Sequence, residues 1–375
     1  MLRAITTKIL IILASIFGFA LPSYIQNPET PKTEEIVSTS TIEIVKATST
    51  KTISQETQTK ETKKTTAIKT TPITTPTVQT QTQQTTIPKI QTPVDYEALN
   101  TTVRKSVVNI FCTTQSGGVL YPITGSGVVI GGNGVILTNA HIGQYFLLKD
   151  FNGTKDFVQC VVRTGNPAYP TYKAELIYIS PTWIENNKTL LTEQNPQGTG
   201  EHDYALLRIT EKIDKSELGQ IPFLPVSLDE GNVTGNVSLL ASYPAGFLGG
   251  QTISRDLYQS SSITTITKVY TFATSTIDVI SVGGTVVSQK GSSGGAVVNS
   301  RGELVGIIST SSDGSQTSDR DLRAITLSYI NRDLKNESGS SLVDVLSYPA
   351  EYAKNFNEKI APKLVETLTN AILKK

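Results

Sequence analysis

From residue 94 onward, the chain alternates short apolar runs with turn residues. The runs are rich in Val, Ile and Thr, and clusters of Gly, Pro, Asn and Asp separate nearly all of them, which is typical of β-strands. Two groups of about six such runs predict an all-β fold of two six-stranded antiparallel β-barrels rather than one sandwich. The predicted strands are 106–112, 125–130, 134–138, 157–162, 173–179 and 204–209 in the first group, and 237–241, 261–269, 276–282, 295–299 and 304–309 in the second.

The N-terminal part of the chain follows a different pattern. Within residues 1–26, Arg3 and Lys8 precede an uncharged apolar run of about 13 residues, which suits a signal-peptide core better than a membrane span of about 20. The alternative is an uncleaved membrane anchor, and either one predicts an extracytoplasmic protein that is secreted or tethered to a membrane. Residues 27–93 are rich in Thr, Lys, Gln and Pro without any period, which predicts a disordered linker.

The last segment, 340–375, predicts a C-terminal amphipathic helix that follows a folded domain at 94–339. Phe356, Ile360, Leu364, Leu368 and Ile372 recur at every fourth position and would therefore share one helix face. We expect this face to pack on the barrel surface rather than to contact a partner or a membrane.

Composition narrows the function classes. The net charge is only +1, which gives no electrostatic case for nucleic acid as a partner. The two cysteines, Cys112 and Cys160, form no CxxC motif, so they do not indicate a zinc or thioredoxin-like site. Both lie in predicted strands, and either one disulfide or two separate buried thiols fits them. Nothing in the sequence indicates the oligomeric state.

A glycine-flanked serine is the first candidate for chemistry. In Gly291-Ser292-Ser293-Gly294-Gly295, glycines on both sides allow the tight turn and the close substrate approach that an exposed nucleophile needs. The amides of Gly291 and Ser293 can then point into one pocket as an oxyanion hole, where losing one donor costs on the order of 3 kcal/mol. A flexible Gly/Ser loop is the alternative, and the hairpin predicted directly after it argues against that.

A nucleophilic serine needs a base, and the chain has only two histidines, His141 and His202. His141 follows the end of a predicted strand among small neighbours, which favours it as the base, whereas His202 is interpreted as a loop residue beside the acid. Asp203 is the first residue of the apolar strand DYALLRI. At this position a carboxylate can be removed from water and still be hydrogen-bonded, which is what a group that orients a catalytic imidazole requires.

These segments, in the order His, Asp, Ser, resemble the trypsin-like serine proteases and most closely their HtrA/Deg branch. GSGVVI and GVILTNAHI resemble the segment around that family's histidine, DYALLRI resembles the strand that carries its aspartate, and GSSGGAVVNSRGELVGI resembles its nucleophile segment. The resemblance covers roughly residues 94–334. It implies catalytic roles for His141, Asp203 and Ser293.

The sequence departs from this family in several places. Ala296 stands where the family usually has Pro, and Ser292 replaces the Asn or Asp common before the nucleophile. The stretch of residues 183–201, between the candidate base and the candidate acid, is long and polar, and we interpret it as a surface insertion. The residues after the predicted barrels are too few and too helical for the PDZ domain that most members of the branch carry, so no PDZ domain is expected.

The resemblance implies hydrolysis of peptide bonds in protein or peptide substrates through an acyl-enzyme, with no metal and no cofactor. It also implies that Val286, Val287, Ile308 and Ser309 line the pocket for the substrate residue before the cut. Because these side chains are small and uncharged, we expect small or medium apolar residues there.

Three other functions are alternatives to a protease. The first is a catalytically inactive protease fold that binds peptides or acts as a surface scaffold. The second is a cell-surface adhesin or stalk whose function lies in the Thr-rich segment. The third is an esterase that uses the same three residues.

Overall fold

The computed structural model describes residues 93–115, 120–193, 198–272, 275–312, 314 and 316–374. The predicted targeting segment and the predicted linker, apart from its last residue, lie outside these residues. Within the described part of the chain, no helix is both long and apolar enough to cross a lipid bilayer.

The first lobe is a closed barrel of six antiparallel strands in the order β1-β2-β3-β6-β5-β4. Branched aliphatic side chains fill its core, among them Ile110, Ile136 and Leu206, all fully buried. This confirms the first of the two predicted barrels. Its strands are β1 (Val107–Thr114), β2 (Ile123–Val129), β3 (Val135–Thr138), β4 (Val158–Thr164), β5 (Tyr169–Ile179) and β6 (Ala205–Lys212).

The two cysteines lie opposite each other in this barrel. Cys112 of β1 and Cys160 of β4 are register partners in the antiparallel pair, and their sulfurs form a disulfide. The structure therefore selects the disulfide from the two states that the sequence left open.

The second lobe is a seven-stranded antiparallel sheet in the order β8-β7-β11-β12-β13-β10-β9. Leu240, Ile280, Val297 and Ile308 belong to its core. The prediction of two β-lobes is confirmed, although the second has seven strands in an open order rather than six in a closed barrel. Its strands are β7 (Val237–Ser242), β8 (Ser260–Thr265), β9 (Lys268–Tyr270), β10 (Val279–Gly283), β11 (Ala296–Val298), β12 (Leu304–Ser311) and β13 (Leu322–Thr326).

The extra strand arises because the predicted strand 261–269 is interrupted. The amide of Ile266 donates to Asn236 O at 2.9 Å, and the amide of Thr267 donates to Ser281 O at 2.8 Å. These bonds turn the chain between two sheet neighbours. As a result β8 pairs with β7, whereas β9 pairs with β10.

Helices cover the outside of the two lobes. Where the sequence predicts one C-terminal helix, the structure has three, because Pro349 and Pro362 each lie in the first turn of a new helix, where the missing amide of proline is tolerated. The helices are α1 (Tyr96–Ser106), α2 (Ala140–Leu147), α3 (Pro181–Asn187), α4 (Gly250–Arg255), α5 (Leu327–Ser338), α6 (Leu342–Ser347), α7 (Pro349–Lys359) and α8 (Ala361–Leu373).

The C-terminal helices pack on the first barrel. Asn357 Nδ2 of α7 donates to Leu176 O at 3.0 Å, and the ring of Phe356 lies 5.9 Å from the ring of Tyr178. The stretch 183–201 is only partly the surface insertion that we expected, because Trp183 and Ile184 of α3 are buried. These apolar side chains belong to the same core as the buried face of α8.

Candidate active site

His141 is held at the start of α2, directly after β3. The next residue, Ile142, packs over the first barrel in space that only a glycine at position 125 leaves open, since a Cβ there would lie 2.2 Å from Ile142 Cδ1. Asn139, at the helix N-cap, donates from Nδ2 to Asp203 O at 2.9 Å. The turn that carries the imidazole is thereby tied to the segment that carries the carboxylate.

Asp203 receives hydrogen bonds from three groups. Its carboxylate lies 3.0 Å from His141 Nδ1 through Oδ2, accepts from the amide of His141 at 3.0 Å, and accepts from Ser309 Oγ at 2.8 Å. The carboxylate is nearly inaccessible, whereas the imidazole keeps 29% of its side-chain surface exposed. This arrangement leaves part of the imidazole accessible to a reacting group.

His141 and Asp203 shift each other's pKa. Burial alone would lower the pKa of His141, but the negative charge of Asp203 and its hydrogen bond outweigh burial and raise this pKa above its ordinary value. Burial would also raise the pKa of Asp203, but the charge and hydrogen bonds of His141, with that of Ser309, hold it below its ordinary value. Asp203 is therefore set to remain ionised beside His141.

The serine loop is clamped between the two lobes. The amide of Ser126, in β2, donates to Ser293 O at 2.8 Å, and the amide of Gly294 donates to Ile308 O of β12 at 2.7 Å. Gly294 has a φ of +81°, and a Cβ at this position would lie 2.0 Å from Ser126 O. The sequence predicts glycines here for a tight turn, and the structure requires one at position 294 because of both the positive φ and the close approach of Ser126.

The hydroxyl of Ser293 is linked to the His141–Asp203 pair through Ser309. Ser293 Oγ donates to Ser309 O at 3.4 Å, and Ser309 Oγ in turn contacts Asp203. Among the described residues it makes no hydrogen bond to His141. The structure thus brings together all three predicted catalytic residues through Ser309.

The predicted oxyanion donors face no competing acceptor. Among the described residues, the amides of Gly291 and Ser293 donate no hydrogen bond. Gly291 has a φ of +91°. Ser292, between them, points into the protein, where Ser242 Oγ donates to its hydroxyl at 3.0 Å. Two free amides beside a half-buried hydroxyl can stabilise a developing oxyanion.

The four predicted pocket residues have different environments. Val287 and Ile308 are buried in the core of the second lobe, whereas Val286 is 56% exposed. Of these four residues, Ser309 contacts both Asp203 and Ser293. The sequence did not predict these contacts, since nothing in the local pattern ties position 309 to position 203.

His202 takes no part in this arrangement. It lies in the turn before β6, as predicted, with a φ of +56°, and its Nδ1 is 2.8 Å from Asp333 of α5. Consecutive residues therefore face opposite ways, Asp203 towards His141 and His202 towards the C-terminal helices.

A closed barrel beside a second antiparallel sheet, with a His–Asp pair and a glycine-bounded serine between them, defines a trypsin-like two-lobed fold. Residues 125–307, which contain all three site residues, match the family model of the trypsin-like peptidase domain. This part of the chain is therefore similar to the trypsin-like peptidase domain.

Other comparisons add little to this assignment. A search of curated proteins finds no match. Among solved structures, the chain is similar to the serine endoprotease from Yersinia pestis, with 20% sequence identity, a TM-score of 0.41, and coverage of 66% of this chain and 67% of that one. A likeness at this level assigns no substrate or partner to this chain.

Proposed function

We propose that this protein is a serine endopeptidase that cleaves protein substrates through an acyl-enzyme, with Ser293 as nucleophile, His141 as base and Asp203 as the group that orients the base. The observation that carries the proposal is the 3.0 Å contact between His141 Nδ1 and Asp203 Oδ2. It holds the ring so that Nε2 is free for a serine hydroxyl, as general-base catalysis in this class requires.

The reaction begins with a rotation of the Ser293 side chain. Its Oγ turns about the Cα–Cβ bond from Ser309 O towards His141 Nε2, which takes the proton as Oγ attacks the scissile carbonyl. The amides of Gly291 and Ser293 receive the oxyanion. His141 then gives its proton to the leaving amine, and water attacks the acyl-enzyme in the same way.

Labelling with a fluorophosphonate probe tests the role of the hydroxyl. The wild-type protein should label, Ser293→Ala should not, and Ser292→Ala is the matched control that should still label. A folded wild type that does not label would favour the inactive, peptide-binding alternative. Labelling that is lost in Ser292→Ala and retained in Ser293→Ala would assign the nucleophile to the other serine.

Substrate preference is proposed from the uncharged side chains of the four predicted pocket residues. Val286, Val287, Ile308 and Ser309 carry no acid, so we expect small or medium apolar residues before the cut rather than Lys or Arg. Digestion of casein, with cut sites identified by mass spectrometry, tests this, and cuts mainly after Lys or Arg would contradict it. Faster turnover of simple esters than of peptides would favour the esterase alternative.

We also propose an extracytoplasmic location, with residues 1–26 as signal peptide or anchor and 27–93 as a spacer. The Cys112–Cys160 disulfide supports this, since disulfides persist mainly in oxidising compartments. Deletion of residues 1–26 should leave the protein inside expressing cells, as judged by fractionation. Deletion of 27–93 should leave casein cleavage intact, and a loss would favour a function within the Thr-rich segment.

A further inference from the structure

A second cluster of ionisable side chains lies on the far side of the Asp203 turn. His202 Nδ1 is 2.8 Å from Asp333 Oδ2 and 3.8 Å from Glu337 Oε1. Asp333 and Glu337 are four residues apart on α5, so both carboxylates project from the same helix face. One oxygen of each carboxylate and His202 Nδ1 all lie within 4.8 Å of one another.

The charges in this cluster do not balance. The side chains of Asp333 and Glu337 retain only 10% and 12% of their exposed surface. Among the described residues, no Lys or Arg forms an ion pair with either of them, so His202 is the single partner that can carry positive charge. Burying two carboxylates against at most one cation is costly, and a further cation would offset that cost.

A buried hydroxyl points to the same place. Tyr204 is fully buried, and its Oη has no hydrogen-bond partner among the described residues. Its ring stacks on the ring of Tyr178 at 6.0 Å, and the Tyr178 hydroxyl donates to Glu337. An unpaired buried hydroxyl therefore lies beside the cluster, and such a group calls for a ligand.

The surroundings of Glu337 are already arranged. Tyr178 Oη donates to its Oε2 at 2.7 Å, and Ser180 Oγ donates to its Oε1 at 3.0 Å. Hydrogen bonds of this kind orient carboxylates that bind metal ions. Each carboxylate oxygen still has a lone pair available.

We propose that His202, Asp333 and Glu337 bind one divalent transition-metal ion of the zinc class. Two ligands of a tetrahedral zinc ion, each about 2.1 Å from it, lie about 3.4 Å apart, and the separations of 2.8 and 3.8 Å from His202 Nδ1 bracket this value. Imidazole with carboxylate suits zinc better than calcium, which takes oxygen ligands.

The ion would join α5 to the turn that carries Asp203. Tyr329 of α5 already accepts a hydrogen bond from the amide of His202 at 2.9 Å, so the helix holds the backbone of this turn as well as its imidazole. The ion takes no part in peptide hydrolysis. Its role is to stabilise the packing of α5 against the first barrel.

The sequence makes a sharp test possible, because His141 and His202 are the only two histidines. Full-length His141→Ala, purified without a histidine tag and stripped with EDTA, has His202 as its single imidazole. Titrated with ZnCl2, it should bind about one ion per chain by calorimetry and unfold at a higher temperature. Zinc X-ray absorption should show one imidazole nitrogen among oxygen ligands. CaCl2 should bind far more weakly.

Ligand variants in the same background complete the test. Asp333→Asn and Glu337→Gln should each weaken zinc binding by roughly 100-fold or more, while Glu358→Gln, an exposed acid on α7, should leave it unchanged. No zinc binding by folded His141→Ala, or bound zinc without a nitrogen ligand, overturns the proposal. So does binding that both ligand variants retain. The absorption measurement needs no ligand variant, so it decides the question even if those variants fold poorly.

Discussion

Ser309 Oγ donates a 2.8 Å hydrogen bond to Asp203 Oδ2, joining two residues that are 106 positions apart. The bond crosses from β12 of the second lobe to the turn before β6 of the first. Because the carbonyl of the same residue accepts from Ser293, Ser309 contacts both ends of the candidate catalytic triad.

Removal of this hydroxyl should weaken both folding and catalysis. Ser309→Ala leaves the buried carboxylate with one donor fewer, and hydrogen bonds to charged groups contribute about 1.5–3 kcal/mol. We expect a loss of this size in the free energy of unfolding by urea and a fall of roughly tenfold in kcat/KM. Ser311→Ala, exposed on the same strand, should change stability by less than about 0.5 kcal/mol. Equal effects of the two variants would contradict this role for Ser309.

The pH dependence of activity should follow the protonation of His141. The base must be neutral to accept a proton, and Asp203 raises the pKa of His141 above its ordinary value. The acid limb of kcat/KM should therefore lie above about pH 6.5, with activity rising as pH increases through it. A pH profile with a peptide substrate measures the limb directly.

Replacing the Asp203 carboxylate should move the acid limb of the pH profile to lower pH. In Asp203→Asn the charge is gone and burial, which lowers the pKa of His141, is left as the dominant influence. The limb should shift to lower pH, and kcat should fall by about 10⁴-fold, as when the orienting acid of a triad is neutralised. Asp256→Asn, at an exposed position, should change neither. An unshifted limb in Asp203→Asn would assign the titration to another group.

The serine loop should not tolerate a side chain at position 294. In Gly294→Ala, the Cβ would meet Ser126 O at 2.0 Å in a backbone conformation with φ of +81°. We expect a loss of more than about 2 kcal/mol in the free energy of unfolding, together with loss of fluorophosphonate labelling. Gly249→Ala, with nothing within 4 Å of its Cβ, is the matched control and should label normally.

Reduction of the disulfide should destabilise the first barrel. The bond closes a sequence separation of 48 residues, and cross-links of this length typically contribute 2–4 kcal/mol, so we expect a loss of about that size. Urea unfolding of the wild type with and without a reductant measures it. The double variant Cys112→Ala with Cys160→Ala should be insensitive to the reductant. A reductant effect that persists in that variant would contradict the assignment.

The local sequence determined much of this protein. Strands follow from runs of β-branched residues, and helices follow from a period of four, so the all-β lobes and the helical C-terminus were predictable. The single strand-end histidine, the glycine-bounded serine and the aspartate before an apolar strand were each visible in a short segment, because each depends on its own neighbours in the chain.

Tertiary structure decided what depends on distance across the fold. Whether Cys112 meets Cys160 depends on strand pairing, and the break between β8 and β9 depends on the acceptors Asn236 and Ser281. The contact of Ser309 with Asp203 and that of His202 with Asp333 depend on how the lobes and α5 pack. No local pattern encodes these pairs, since hydrogen bonds and ion pairs act over a few ångströms in space and can join residues more than a hundred positions apart.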